Sequence, residues 1–217
     1  MKTLYPLLCS LLLLTACATS STHTAKVEEP KKHYIGFLTL IGNFNSDFSR
    51  LDSLTYETHI RGKFNNLEQS RYRNHLEKAL KETLMSRAQT RIVSSSDIFK
   101  LNDDISYSEF LERVRKTGVE TILLVNLHSF WHSISYSTDD NLFNKPEPNA
   151  LFNTYLLDVQ NLEPVWYAKS VVNGVYANYE TLNNTFARQL LRKLRKDEYI
   201  LVPEHARYWS SYTYQQE

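Results

Sequence analysis

The sequence predicts an α/β (α+β) fold: a mixed sheet of about five strands with three helices, in the order β-α-β-α-β-β-β-α. Three observations predict it. Two helix-then-strand units, at 66–93 and 106–127, alternate as parallel βαβ units do. Two later apolar runs, 150–159 and 165–175, are separated only by Gln160-Asn161-Leu162-Glu163-Pro164, a hairpin-length connection. A final stretch at 179–196 carries leucine and phenylalanine every four residues.

Taken in order, residues 33–41 (HYIGFLTLI) are apolar and rich in β-formers, and Gly42-Asn43 ends them, which predicts a buried strand. Residues 43–65 read as irregular, with a short edge strand at 54–60. Over 66–89, Tyr72, Leu76, Ala79, Leu80, Thr83 and Leu84 share one helical face, and the charged residues fall mostly elsewhere. Arg91-Ile92-Val93 reads as a short strand. Residues 94–97 then read as the cap of a helical turn running to Leu101.

Ser106-Tyr107-Ser108-Glu109 fits a capping box, opening a helix that buries Phe110, Leu111 and Val114 and stops at Gly118. Residues 120–127 (ETILLVNL) are the clearest buried strand and are predicted to run on through Phe130 and Trp131 towards Tyr136. Residues 137–149, with Asp139-Asp140-Asn141 and two prolines, predict a loop. In the last helix Leu182, Phe186, Leu190 and Leu194 form the apolar stripe. Arg192, Lys193, Arg195 and Lys196 crowd its end, where cations complement the helix dipole.

The N-terminus has its own logic. One lysine, an apolar stretch at 4–14 and the small residues after it have the layout of a secretory signal, and the stretch is too short to span a membrane. Leu14-Thr15-Ala16-Cys17 resembles the bacterial lipobox. The resemblance implies cleavage before Cys17 and acylation of its thiol, palmitate included, which makes the lipid the link to a membrane. More than one acyl chain anchors stably, because each buried CH₂ contributes about 0.8 kcal/mol. A plain secretory signal with a chance cysteine is the alternative. Ala18 rather than aspartate after the cysteine implies, by the same resemblance, the outer membrane, with the protein facing the periplasm. The only other cysteine, Cys9, lies in the removed segment, so lipidation accounts for the leftover thiol.

This divides the chain into a signal peptide (1–16), a lipidated cysteine with a flexible tether (17–32), a single α/β domain (33–202) and an aromatic-rich tail (203–217). Removal of 16 of the 217 residues leaves 201, enough for one domain and a tether. Residues 18–32 (ATSSTHTAKVEEPKK) are polar and small, a composition that does not bury enough apolar surface to order itself. A net charge of +1 gives no basis for nucleic-acid binding.

Three segments carry a resemblance to a family of periplasmic proteins. They are HLEKALKETLMSRAQTRIVSSSDI (75–98), FLERVRKTGVETILLVNL (110–127) and the hairpin TYLLDVQNLEPVWYAKSVVNG (154–174), with Leu157-Asp158-Val159 and Val165-Trp166 at its two strands. The pattern resembles the domain shared by the TolB N-terminal region, CsgG and LpoB over roughly 34–196, although Asn161-Leu162 stands where that hairpin usually has Thr-Gly. The resemblance implies a non-enzymatic module that binds another envelope protein of the peptidoglycan, secretion or appendage machinery, or that assembles as a homo-oligomer. CsgG itself forms a pore. Residues 128–136 make a poor membrane strand, since His128 and His132 share a face with Phe130, Ile134 and Tyr136.

Catalytic signatures are missing. There is no phosphate loop, dinucleotide fingerprint, Gly-x-Ser-x-Gly elbow or His-Glu-x-x-His motif, and five glycines leave little for a phosphate cradle. No cofactor or metal is expected. His128 and His132 sit on a strand, where four residues span about 13 Å, too far to share one ion. Asp103-Asp104 and Asp139-Asp140 read as solvated turn residues rather than acid/base pairs, and Asn183-Asn184-Thr185 as a chance sequon. A periplasmic hydrolase and a self-assembling subunit are the alternatives to a binding module. Trp131 and Trp166 read as core or sheet-face residues. The tail aromatics Tyr208, Trp209, Tyr212 and Tyr214 are the candidate partner surface, since exposed aromatics often anchor interfaces.

Overall fold

The computed structural model describes residues 18–26, 33–44, 50–67, 70–88, 90–133, 147–174 and 178–201. Cys17, Asp139, Asp140, Tyr208, Trp209, Tyr212 and Tyr214 lie outside them, as do the signal segment and the tail.

Strand β2 (Gly36–Gly42) is buried at every position. It pairs in parallel with β3 (Arg91–Ser94) on one side and with β4 (Thr121–Ser133) on the other. Beyond β4 the sheet turns antiparallel, through β5 (Glu147–Asp158) and β6 (Pro164–Gly174). The fold is thus α+β with a mixed sheet, as the alternation followed by hairpins predicts.

Among the described residues the sheet has six strands rather than about five, because Ala18–Lys26 forms β1 and pairs antiparallel with β6; the order is β1-β6-β5-β4-β2-β3. This corrects the tether reading over 18–26. An added edge strand needs only a partner's free backbone groups, not an apolar face, and the Ser/Thr-rich segment suits a solvated edge. Thr22 Oγ1 donates to Ser170 Oγ across the pair at 3.1 Å.

Among the described residues four helices pack on this sheet rather than three. The extra one, α1 (Ser53–Thr55), runs on as a π-helical turn, Tyr56–Ile60, where an edge strand is predicted. Asp52 caps it by accepting from the Thr55 N–H at 2.8 Å, a bond that holds the Asp52 carboxyl below its usual range. Tyr56 and Ile60, four apart, then bury together, a spacing that a helix and a strand share.

The predicted apolar face of α2 (Ser70–Ala88) points into the core, with Thr83 at its margin. The turn after β3 is a short 3-10 helix, Ser95–Asp97, without a side-chain cap from Ser94. Helix α3 (Tyr107–Lys116) has half of its capping box. Ser106 accepts from the Glu109 N–H at 3.3 Å, but Glu109 turns to Arg113 at 2.6 Å instead of reaching back. Gly118, at φ +65°, ends it as expected. Strand β5 starts at Glu147, inside the predicted 137–149 loop. Pro148 sits near the start of β5, where a missing N–H is tolerated.

The helices divide the core into two layers. Helices α2 and α4 (Tyr179–Lys196) cover one face, burying Phe37, Leu76, Leu80, Phe152, Trp166, Phe186 and Leu190 against them. On the other face α1, its π-helical turn and α3 cover Leu38, Leu40, Ile122 and Leu124. Phe110 is the hub of that layer, its ring 4.9 Å from Tyr56, 5.9 Å from Phe64 and 5.7 Å from Phe99. The β5–β6 turn puts Leu162 at φ +57°; its side chain is buried in this second layer, which offsets the backbone cost that a glycine would avoid.

Candidate functional site

The parallel strands β2 and β4 run side by side only as far as Gly42 and Asn126. There β2 leaves the sheet, while β4 continues for seven residues with β5 as its partner. In open α/β sheets ligands bind at the carboxyl ends of such strands. A recess of about 140 Å³ opens at this place, lined by Asn43, Leu67, Tyr72, Leu127, Ser129, Phe130 and Tyr179.

The departure of β2 is held by two side chains, Asn66, which accepts from the Asn43 N–H at 2.8 Å, and Asn126. Asn126, fully buried, accepts from the Phe44 N–H at 2.8 Å and donates to the Phe44 carbonyl at 2.6 Å. Asn126 thereby replaces the ladder bonds that β2 gives up. Gly42 is required beside it: a Cβ there would fall 2.3 Å from the Phe44 ring. The sequence signal is Asn126, the lone polar residue in the apolar run ILLVNL (122–127).

Three rings form the inner wall. Tyr72, from the first turns of α2, meets Phe130 edge-on at 5.7 Å and Tyr179, the first residue of α4, at 5.4 Å. Phe130 and Tyr179 are 5.4 Å apart. Phe130 reaches this side because of a β-bulge between Leu127 and Ser129. The bulge also corrects the simple alternation predicted for 128–136 over the described residues 128–133; Ile134 and Tyr136 lie outside them. Phe130 stays on the helix-covered side with its neighbour His132, 5.1 Å away edge-on, and His128 falls at the irregularity itself.

The Tyr72 hydroxyl is buried and has no hydrogen-bond partner among the described residues. Burial raises its pKa. The folded state therefore favours the neutral phenol, while the unfolded chain releases its proton near pH 10. Stability is unaffected below that pH and falls as pH rises above it. Tyr72→Phe is expected to leave stability at pH 7 unchanged or raised by about 1 kcal/mol, since it deletes an unpaired buried group. It should also weaken the loss of stability between pH 10 and pH 11. Urea titrations at both pH values test this, and a loss of more than 2 kcal/mol at pH 7 would contradict it.

Most of the residues singled out in the sequence do not meet here. Asp103 pairs with Arg113 at 2.8 Å and Asp104 with Arg61 at 2.5 Å, so both are turn residues tying α3 to the π-helical turn. Trp166 is fully buried, and its indole N–H donates to Asp197 at 2.8 Å at the end of α4. Asn183 of the sequon is fully buried in α4, closed to modification. Among the described residues no three His, Cys, Asp or Glu side chains are grouped as for a metal, and no helix is long and apolar enough to cross a membrane. Tyr72 and Phe130 were visible only as members of a helix face and a strand; that they share a wall depends on the bulge.

The architecture defines the class: an α+β domain with a six-stranded mixed sheet, helices on both faces and an aromatic recess where its parallel part ends. No family model matches the sequence, and no curated protein matches it. Among solved structures it is similar to the PelC dodecamer from Paraburkholderia phytofirmans, at 14% identity and a TM-score of 0.45, over 81% of this chain and 95% of that one. Lipoprotein GNA1162 from Neisseria meningitidis gives 12% identity and a TM-score of 0.38, over 74% and 98%. Likeness at this level carries no functional information. The resemblance to the TolB, CsgG and LpoB group gains no match from these comparisons.

Proposed function

We propose that this chain is a cell-envelope lipoprotein, anchored through Cys17 at the outer membrane and facing the periplasm, that acts as a non-enzymatic docking module for another envelope protein. Partners in peptidoglycan synthesis, secretion or appendage assembly fit that setting. The chemistry of the recess carries the reading. Its walls are two tyrosines, one phenylalanine and two leucines, with Ser129 and Asn43 as further polar groups. At about 140 Å³ it is smaller than the roughly 300–1,000 Å³ of small-molecule sites. It suits one anchoring side chain of a partner, the arrangement that concentrates binding energy at protein interfaces.

The test is a photo-crosslinking residue at Ser129 in intact cells, with captured proteins identified by mass spectrometry. One envelope protein is expected, retained in the otherwise unchanged chain and lost when Phe130→Ala removes the wall. Capture should also fall with Cys17→Ala, which releases the protein from the membrane. Crosslinks only to further copies of this chain would replace the adaptor with a self-assembling subunit. No crosslink at all from a folded, membrane-bound protein would sink the docking role and move the search to periplasmic hydrolysis.

A further inference from the structure

We propose that residues 203–217 of this chain close the outer edge of β3 as a further strand, with Tyr208, Tyr212 and Tyr214 laid against α2. Strand β3 ends the sheet, and no strand lies on its outer side among the described residues. The Arg91 N–H donates to the Ile35 carbonyl at 2.7 Å, and the parallel register then sets the backbone groups of Arg91 and Val93 towards β2. Ile92 and Ser94 therefore turn their N–H and C=O groups outwards. Both residues are nearly closed to water, at 7% and 6% exposure. Backbone groups so placed call for a ladder partner.

The chain heads for this edge as it leaves α4. Asp197 accepts from the Trp166 indole of β6, and the Tyr199 hydroxyl donates to the Val165 carbonyl of the same strand. The Tyr199 carbonyl accepts from the Tyr34 N–H, just before β2, at 2.8 Å. The path thus runs from β6 towards β2, and β3 is next in that direction. A strand outside β3 lies two spacings, about 10 Å, from β2, which about three extended residues bridge.

Handedness selects the same edge. Strand β6 is parallel to β2, and α4 lies on the same face of the sheet as α2. A strand outside β3 and parallel to it gives the crossover through α4 the same hand as β2-α2-β3. The outer edge of β1 would give the reverse. Such crossovers keep one hand in about 98% of cases.

The other long segments outside the described residues do not suit this edge. Residues 27–32 link Lys26 of β1 to His33 before β2, four strand spacings or about 19 Å, which leaves them little slack. Residues 134–146 leave from Ser133, about 34 Å along the strands from the level of Ser94, and a loop of that length closed at its base reaches about 24 Å. Residues 1–17 adjoin Ala18, at the opposite edge and the opposite end.

The side chains match the place. As a strand, 208–214 sets Tyr208, Ser210, Tyr212 and Tyr214 on one face and Trp209, Ser211 and Thr213 on the other. Beside β3, on the α2 side, runs a groove lined by Lys78, Lys81, Met85, Ser94 and Ser96. Met85 is 44% exposed there, and tyrosine rings suit both its sulfur and the lysine stems.

Photo-crosslinking in the purified full-length chain tests this. Benzoylphenylalanine is placed at Met85, and crosslinked peptides are mapped by mass spectrometry after separation on a denaturing gel. Links to 208–214 in protein of monomer mass are expected. Links found only at twice that mass would give the edge to a second copy and overturn closure by the chain's own residues. The absence of any link to 203–217 would overturn it outright. Hydrogen exchange gives an independent reading, because a proline cannot donate to a ladder. The Ile92 and Ser94 amides should exchange severalfold faster in Tyr212→Pro than in the parent, while the Val93 amide, turned to β2, keeps its rate. Equal rates at Ile92 and Ser94 in the two proteins would also overturn the added strand.

Discussion

Trp166→Ala is expected to lower the unfolding free energy by about 3–5 kcal/mol, the range for truncating a large buried aromatic. Trp166 has no exposed surface and packs between β6 and the end of α4, with its ring 6.5 Å from Tyr199. Its indole N–H donates to the Asp197 carboxylate at 2.8 Å, and Asp197 is itself buried. Truncation leaves both a cavity and a carboxylate without its donor. Tyr199 reinforces the same corner, donating to the Val165 carbonyl at 2.7 Å while its backbone carbonyl accepts from the Tyr34 N–H. Thermal unfolding of the domain should shift down by roughly 10 °C. Trp166→Phe separates the two contributions: it keeps most of the ring and removes the donor, at an expected cost of about 1.5–3 kcal/mol. A Phe variant as stable as the parent would show that the bond to Asp197 contributes nothing net.

Asn126→Leu is expected to cost about 4 kcal/mol although it nearly preserves side-chain volume, because it leaves two buried backbone groups without partners at about 1–3 kcal/mol each. The Phe44 N–H and carbonyl are both held by the Asn126 amide. The damage should be local first. Hydrogen exchange at the Phe44 amide should accelerate well before that of β4 and β5, and crosslinking from Ser129 should weaken as Asn43 leaves the rim of the recess. Asn126→Asp gives a sharper check. It keeps an acceptor for the N–H but sets a buried carboxylate oxygen against the Phe44 carbonyl, so at pH 7 it should cost at least as much as the leucine variant. Uniform acceleration across the sheet with no local phase would mean that Asn126 acts as a core residue and not as a clamp on the departing strand.

Periodicity made most of the elements legible, and it failed for identifiable reasons. The apolar faces of α2, α3 and α4 are readable because burial on one side imposes a period of 3.6 on side chains, while β2, β4 and β5 are readable as near-continuous apolar runs, buried on both faces of the sheet. Tyr56 and Ile60 sit in too short a segment for either period to establish itself. Strand β1 has no apolar signature to read, because an edge strand is held by backbone groups and its Ser21, Thr22 and Thr24 side chains remain partly or wholly in water.

By itself the sequence determined the helices and strands with a buried face, their order and the mixed character of the sheet, and it carries the stretch Leu14-Thr15-Ala16-Cys17 that resembles a lipobox. Tertiary structure alone decided that Ala18–Lys26 closes the edge of the sheet, that a bulge after Leu127 turns Phe130 towards Tyr72 and Tyr179, and that Asn126 clamps Phe44. Each of these joins residues distant in the chain through backbone partners or register, and neither is encoded in the local spacing of side chains.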